Sequence, residues 1–474
     1  MTSVSSFGRK EFFFTIGRYI VYGLQVTKGF ALAYFLGPFF LGIYGYFMLY
    51  QQYLVYSNLG IQYALNAELS ISANSPEKVK DDIANSAFTL TALICGVLVI
   101  VGLIIYLFKI NIFPYENSYK YIVALVLLTC MGHFQEVFIN IFRINKNLLP
   151  IIYTDFFIVL VTLVIIPFFS KIELINAVLG CWVLALAISM GLYLFLYKKK
   201  IRYNTVFLKP LFQAGVPLLL FIFSYNLMGL IIRTLISLFY GTNIMGYFAF
   251  ANSLTTAIML SFNSITWLMY PAVIEKLSDR ELKGLELQEY LISFSKKLSL
   301  IVFAIIGLAI LVMPVLFIFL PQYVPVKGAL TILLLNQVVF NAGFALVSLA
   351  IGRKLHFQIA GISLISVVAC FICGLTFSYF HFSIEWLAIA NLLGSLFFLN
   401  IFIYFIAQKF SLSYKALLSS FDPLIQAIIF LCCSAAVMGM PYVVILLIIG
   451  AVIIKRKDCN ELILQIRSKL KRAK

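Results

Sequence analysis

Three cations lie inside stretches of sequence that are otherwise almost wholly apolar: Arg18, Lys28 and Arg233. A charged side chain at the middle of a bilayer costs about 2.5 to 3.5 kcal/mol on insertion scales, so three of them cost roughly 8 to 10 kcal/mol unless something compensates. Polar companions stand at helical spacing. Arg18 and Gln25 are seven residues apart and share a helix face, Lys28 lies about 60° further round, and Asn226 and Arg233 repeat the seven-residue spacing. Such a set suits an anion. A phosphate oxygen about 4 Å from Lys or Arg gains on the order of 4 kcal/mol at an effective dielectric of 20, enough to offset one insertion cost, and Arg can grip phosphate through two parallel hydrogen bonds. The competing reading is that the long side chains reach back to the headgroups, Arg18 being about two turns from the end of its stretch.

A second group is acidic. His133 and Glu136 are three apart on one helix face, and Asp155 follows in the next apolar stretch. They are candidates for a proton or sodium site that couples transport to an ion gradient. The structural alternative pairs them with Arg143, Lys146 or an intramembrane cation. Cys370 and Cys373 form a lone C-x-x-C in a lipid-like stretch with no second pair, which reads as packing, so no metal or cofactor is expected.

The elements that must hold these groups follow from composition. Hydrophobic residues make up 63% of the 474, charged residues 11%, and mean hydropathy is +1.03, whereas ordinary globular domains carry roughly 25% charge. A soluble core is excluded. Fourteen apolar runs near the length of a membrane span occur, at approximately 12-37, 39-65, 83-108, 120-142, 150-170, 172-197, 211-239, 244-270, 297-320, 326-351, 358-380, 385-407, 422-438 and 441-454. Of the 35 Lys and Arg, 28 fall in connections on one side, and only Lys109, Lys120, Lys171 and Lys327 on the other. By the positive-inside rule both termini are cytoplasmic. The net charge of +17 is then a topology signal, and nucleic acid is not needed to explain it. The first apolar stretch is too long for a signal peptide and lacks its cleavage site.

The chain also repeats itself. Leu36 to Tyr44 reads LGPFFLGIY and Tyr240 to Phe248 reads YGTNIMGYF, with both glycines and the following aromatic in register at an offset of 204. Six helices separate the two copies, so the expected fold is an all-α polytopic membrane protein of two six-helix bundles related by a pseudo-two-fold along the membrane normal, with a cavity between them. The boundaries expected are 1-197 for the first bundle, 198-210 for a cytoplasmic linker, 211-407 for the second bundle, 408-454 for an added helical hairpin and 455-474 for a basic amphipathic tail held at anionic lipid.

The L-G-P-x-x-x-G-I-Y turn, Asn58-Leu59-Gly60, the G-T-x-x-x-G-Y-F-A-x-A-N of Gly241 to Asn252 and Tyr270-Pro271 together resemble the polysaccharide transporter family. This is the Wzx-type flippase branch of the multidrug/oligosaccharidyl-lipid/polysaccharide exporter (MOP) superfamily, whose fold is MATE-like. The resemblance implies a flippase of the bacterial inner membrane that moves an undecaprenyl-diphosphate-linked oligosaccharide, an O-antigen or capsule repeat unit, to the external leaflet by alternating access. A glycan polymerase and a chain-length regulator of the same pathway are the partners it suggests. The rival within the superfamily is a drug/ion antiporter, whose cationic substrates three buried cations would repel. A membrane enzyme of glycan assembly, a polymerase or acyltransferase, would be expected to carry a long external loop rich in Arg or His; the external connections here are short and nearly free of both.

Overall fold

Apolar segments of this length satisfy their backbone in lipid only as helices or closed barrels. The computed structural model describes residues 9–72, 75–145, 147–279 and 281–456, and no strand occurs among them. In chain order the helices are α1 (Arg9–Val55), α2 (Ile61–Ile71), α3 (Glu77–Leu107), α4 (Tyr121–Ile144), α5 (Leu149–Val164), α6 (Lys171–Tyr197), α7 (Leu208–Phe239) and α8 (Thr242–Ser278). They continue as α9 (Gly284–Phe319), α10 (Lys327–Ala342), α11 (Phe344–Gly352), α12 (His356–Tyr379), α13 (Ile384–Lys409), α14 (Tyr414–Leu418), α15 (Pro423–Val437) and α16 (Pro441–Ile454).

Nine helical stretches among the described residues are long and apolar enough to cross a membrane, ten if α7 counts as one span, with α15 and α16 shorter. The protein is a multi-pass membrane protein. One stretch, Ile16–Asn58, has 43 residues, about 65 Å of helix and twice the thickness of a hydrocarbon core. Its interruption is local. Gly37 sits at φ 66°, ψ 174°, a region essentially closed to any residue with a Cβ, and Pro38 follows without a backbone donor. The first two expected runs therefore meet where the sequence divides them, but the second continues past a 3-10 turn at Tyr56–Asn58 into α2. The run expected over 326-351 breaks at Gly343 into α10 and α11.

Contacts divide the chain into two units. The first holds residues 9–223 with Tyr240–Ala249. Only 17% of the most apolar window of α3 is buried, which marks that helix as peripheral. The core lies where Val21 and Ile152 meet Leu65, Phe88, Phe138 and Tyr193. The Phe138 ring lies 4.9 Å from Phe88 and 5.7 Å from Tyr193, pairs worth about 0.5–1.5 kcal/mol each beyond their area. The buried Tyr193 hydroxyl is satisfied by Thr154 Oγ1 at 2.5 Å.

The two copies of the repeated turn meet inside this unit. A methyl group on Gly42 would overlap the Thr242 carbonyl oxygen, and one on Gly246 the Pro38 carbonyl oxygen. Pro38 and Thr242 stand at the same 204-residue offset as the glycines, so the contact is reciprocal, as between like surfaces across a two-fold. Gly60 and Gly215 make a second backbone approach that would not accept a Cβ on Gly60.

The connection after α6 is laid along α3. Lys199 Nζ reaches Asp81 Oδ1 at 2.7 Å and Glu77 Oε2 at 2.9 Å. The backbone N–H groups of Arg202, Asn204 and Phe207 donate to Asn85 Oδ1, Thr89 Oγ1 and Ser86 Oγ. The hydrogen bonds that Lys199 donates to Asp81 and Glu77 push its ammonium up to about 12, so it is charged throughout the physiological range. Its exposed ion pairs contribute at most about 1 kcal/mol each; the backbone bonds fix the path.

The second unit holds Ser224–Phe239 and residues 250–456. Its central element is α10 with α11, of whose window 72% is buried. Cys370 packs against the Cα of Gly394, and its Sγ lies 3.8 Å from the Met228 carbonyl oxygen. Asp422 caps α15 by accepting from Leu424 N–H at 3.0 Å and also pairs with Lys455 at 2.5 Å, which ties together the ends of the α15–α16 hairpin. Of the expected tail, all beyond Arg456 lies outside the described residues, as does Lys146.

Candidate functional site

Helix α1 carries Arg18, Gln25 and Lys28 along the first unit. The three span ten residues, about 15 Å of helix, and their surroundings differ. Arg18 Nη1 forms an ion pair with Asp155 Oδ2 of α5. Its guanidinium also lies 5.3 Å from the centre of the Tyr22 ring and 5.9 Å from that of Phe14, one helical turn away on each side. The side chains of Arg18 and Asp155 are 31% and 22% exposed, so the charges are partly withdrawn from solvent and their mutual attraction is correspondingly stronger than at a surface.

Glu136 on α4 is exposed and lies within electrostatic reach of Asp155, Arg143 and Arg18. Asn140 joins this side of α4 by donating to the Glu136 carbonyl at 2.9 Å and accepting from Arg143 Nη2 at 3.0 Å. His133 is buried, one turn back, with Nε2 3.0 Å from Ser57 Oγ. The Ser57 hydroxyl also donates to the Leu54 carbonyl at 2.6 Å. The structure thus brings Arg18, Asp155 and Glu136 into one group and places His133 beside the end of α1.

Lys28 stands apart from that group. It is half-buried, and its ammonium lies 5.9 Å from the centre of the Trp182 ring of α6. Among the described residues it makes no hydrogen bond and no ion pair. Gln25 is half-buried on the same helix. Asn226 and Arg233 belong to the second unit, on α7; Asn226 is exposed, and Arg233 is buried with Nε donating to the Gly229 carbonyl at 3.4 Å.

Sequence reasoning picked out the cations and acids by residue type alone. It missed Trp182 over Lys28 and Ser57 on His133. It also missed the three polar residues of α3, Asn85, Ser86 and Thr89, which hold the connection after α6; their signal was a polar cluster at helical spacing at the start of an apolar span.

No protein-family model and no curated protein matches the chain. Solved structures do. The lipid II flippase MurJ in an inward closed conformation superimposes with a TM-score of 0.71 at 14% identity, covering 94% of this chain and 99% of that one. A multidrug resistance MATE transporter of the MOP superfamily, facing inward, gives 0.65 at 13% identity over 85% of this chain and 99% of that one. A MOP superfamily transporter from Pyrococcus furiosus, described as having a binding pocket of reverse polarity, gives 0.57 at 14% identity over 85% and 95%. The chain has the fold of the MOP superfamily.

Proposed function

We propose that this protein is a flippase that moves an undecaprenyl-diphosphate-linked oligosaccharide from the cytoplasmic to the external leaflet, exposing its substrate site to the two sides in turn. One observation carries the reading: Lys28, an intramembrane cation with no acid opposite it among the described residues. The Arg18 charge is met by Asp155, whereas among the described residues that of Lys28 is met only by the Trp182 face. A cation–π contact at this separation contributes about 0.5–1 kcal/mol, well short of the cost of placing an ammonium in a membrane. An anion brought by the substrate supplies the difference.

The sign of the charge separates this reading from drug export, since the fold serves both a lipid II flippase and a multidrug transporter. A substrate cation would meet the Lys28 ammonium as a like charge. In this reading Gln25, on the same helix as Lys28, bonds to sugar or phosphate oxygens. Arg18, Asp155, Glu136 and His133 hold α1, α4 and α5 together and modulate transport.

The test is flipping in proteoliposomes with a fluorescent undecaprenyl-diphosphate oligosaccharide. Lys28→Ala should cut the rate at least tenfold with the protein still present in the membrane, and Lys28→Arg should keep part of it. Unchanged flipping in Lys28→Ala, or energised efflux of an organic cation by the unaltered protein, would overturn the proposal.

A further inference from the structure

A cleft of about 630 Å³ opens between α4 and α6 in the first unit, lined by none of Arg18, Lys28, His133, Glu136 and Asp155. Its lining is sorted along the helix axis. At one end stand Glu116, Asn117 and Lys120, before and at the start of α4. Beyond them the walls are apolar apart from Asn176 on α6, with Val123 and Leu127 on α4 and Val183 and Leu184 on α6. Gly180 keeps the furrow open, with no atom within 4 Å of where its Cβ would stand. From Ile172 to Leu184 the α6 wall rises about 18 Å, close to the roughly 15 Å depth of one leaflet's hydrocarbon.

The polar end holds one acid and one cation. Both side chains are exposed, and neither makes a hydrogen bond or ion pair among the described residues. We propose that this cleft binds one phospholipid with a zwitterionic, primary-ammonium headgroup, its phosphate at Lys120, its ammonium at Glu116 and one acyl chain in the furrow. The charge pattern selects this occupant. A phosphatidylglycerol headgroup would satisfy Lys120 but meet the Glu116 carboxylate as a like charge. A choline headgroup has no N–H to donate to that carboxylate, whereas ethanolamine has three. A prenyl diphosphate would bring about two negative charges to one cation and one acid. Lys120 is one of four Lys and Arg on the side that the charge bias marks as external, so the lipid belongs to the outer leaflet. The site is independent of the transport reading.

The experiment uses the full-length protein in detergent with dioleoyl phosphatidylethanolamine, phosphatidylglycerol and phosphatidylcholine in equal amounts, and reads bound lipid by native mass spectrometry. The unaltered protein should retain phosphatidylethanolamine at least fivefold over the other two. Glu116→Lys should invert the preference toward phosphatidylglycerol. Gly180→Trp, which fills the furrow, should lower retention of all three. Equal retention of the lipids, tighter binding of undecaprenyl diphosphate added as a competitor, or an unchanged preference in Glu116→Lys would overturn the assignment. Both sites are open to the surface, and monodisperse elution of each variant establishes that folding is intact.

Discussion

Arg18 and Lys28 are cations on one helix, ten residues apart, and they meet the same cost in different ways. Arg18 is answered from within the fold by Asp155 and by aromatic rings a turn away on each side. Lys28 has the Trp182 ring and, among the described residues, no acid. A charge that the protein neutralises itself is a structural joint, here between α1 and α5. In the proposed function, a charge left for something else to neutralise is where the substrate anion binds. The transport assay on Lys28 is the severest test of that contrast.

Next in size is the effect on stability at the joint. Asp155→Asn leaves Arg18 without its carboxylate; a fully buried pair broken this way costs about 3–5 kcal/mol, and partial exposure here lowers the expectation to about 2 kcal/mol. Thermal unfolding in detergent should show the loss, and Arg18→Ala combined with Asp155→Ala should recover most of it, because no orphan charge remains. Flipping by folded Asp155→Asn should persist. If the double variant is no more stable than Asp155→Asn, the joint is not an ion pair in function.

A smaller change is expected from Trp182→Leu, which removes the ring over Lys28. At about 0.5–1 kcal/mol for such a contact, flipping should change by two- to fivefold. An effect as large as that of Lys28→Ala would mean that the tryptophan itself touches substrate. Smallest is the expected effect of Glu136→Gln on voltage response. A diphosphate carries about two negative charges, each worth about 2.3 kcal/mol across 100 mV, so a potential positive outside should speed outward flipping without a pH or sodium gradient. Glu136→Gln should leave that acceleration within a factor of two. Flipping that ignores the potential and stops without an ion gradient would make the acids the coupling site and erase the contrast with Lys28.

Much of the fold was legible because it rests on local signals. The Gly37-Pro38 break, the start of α15 and α16 at Pro423 and Pro441 and the apolar runs all follow from residue types over a few positions. Other features depend on distant parts of the chain. Asp155 is 137 residues from Arg18, and the sequence offered Arg143, Lys146 and three intramembrane cations as its partners with equal force. Ser118, in a polar turn two residues before Lys120, is buried, accepting from Ile112 and Phe113 N–H and donating to the Phe113 carbonyl. A hydroxyl that closes a loop is indistinguishable in sequence from one that faces water. The polar face of α3 hid for the same reason, since its partners are backbone groups of a connection more than a hundred residues away.

The reciprocal approach of Gly42 to Thr242 and of Gly246 to Pro38 also bears on ancestry. A contact between two unlike surfaces must be arrived at twice, once on each side. Here each copy of the turn lends one glycine and one carbonyl, so one inherited surface is enough. A chain half as long, carrying a single turn, would already have been able to dock against a second molecule of itself. Joining two such molecules end to end would preserve the dock while leaving each copy free to differ elsewhere, as Gly37 at positive φ differs from Gly241, which does not share it.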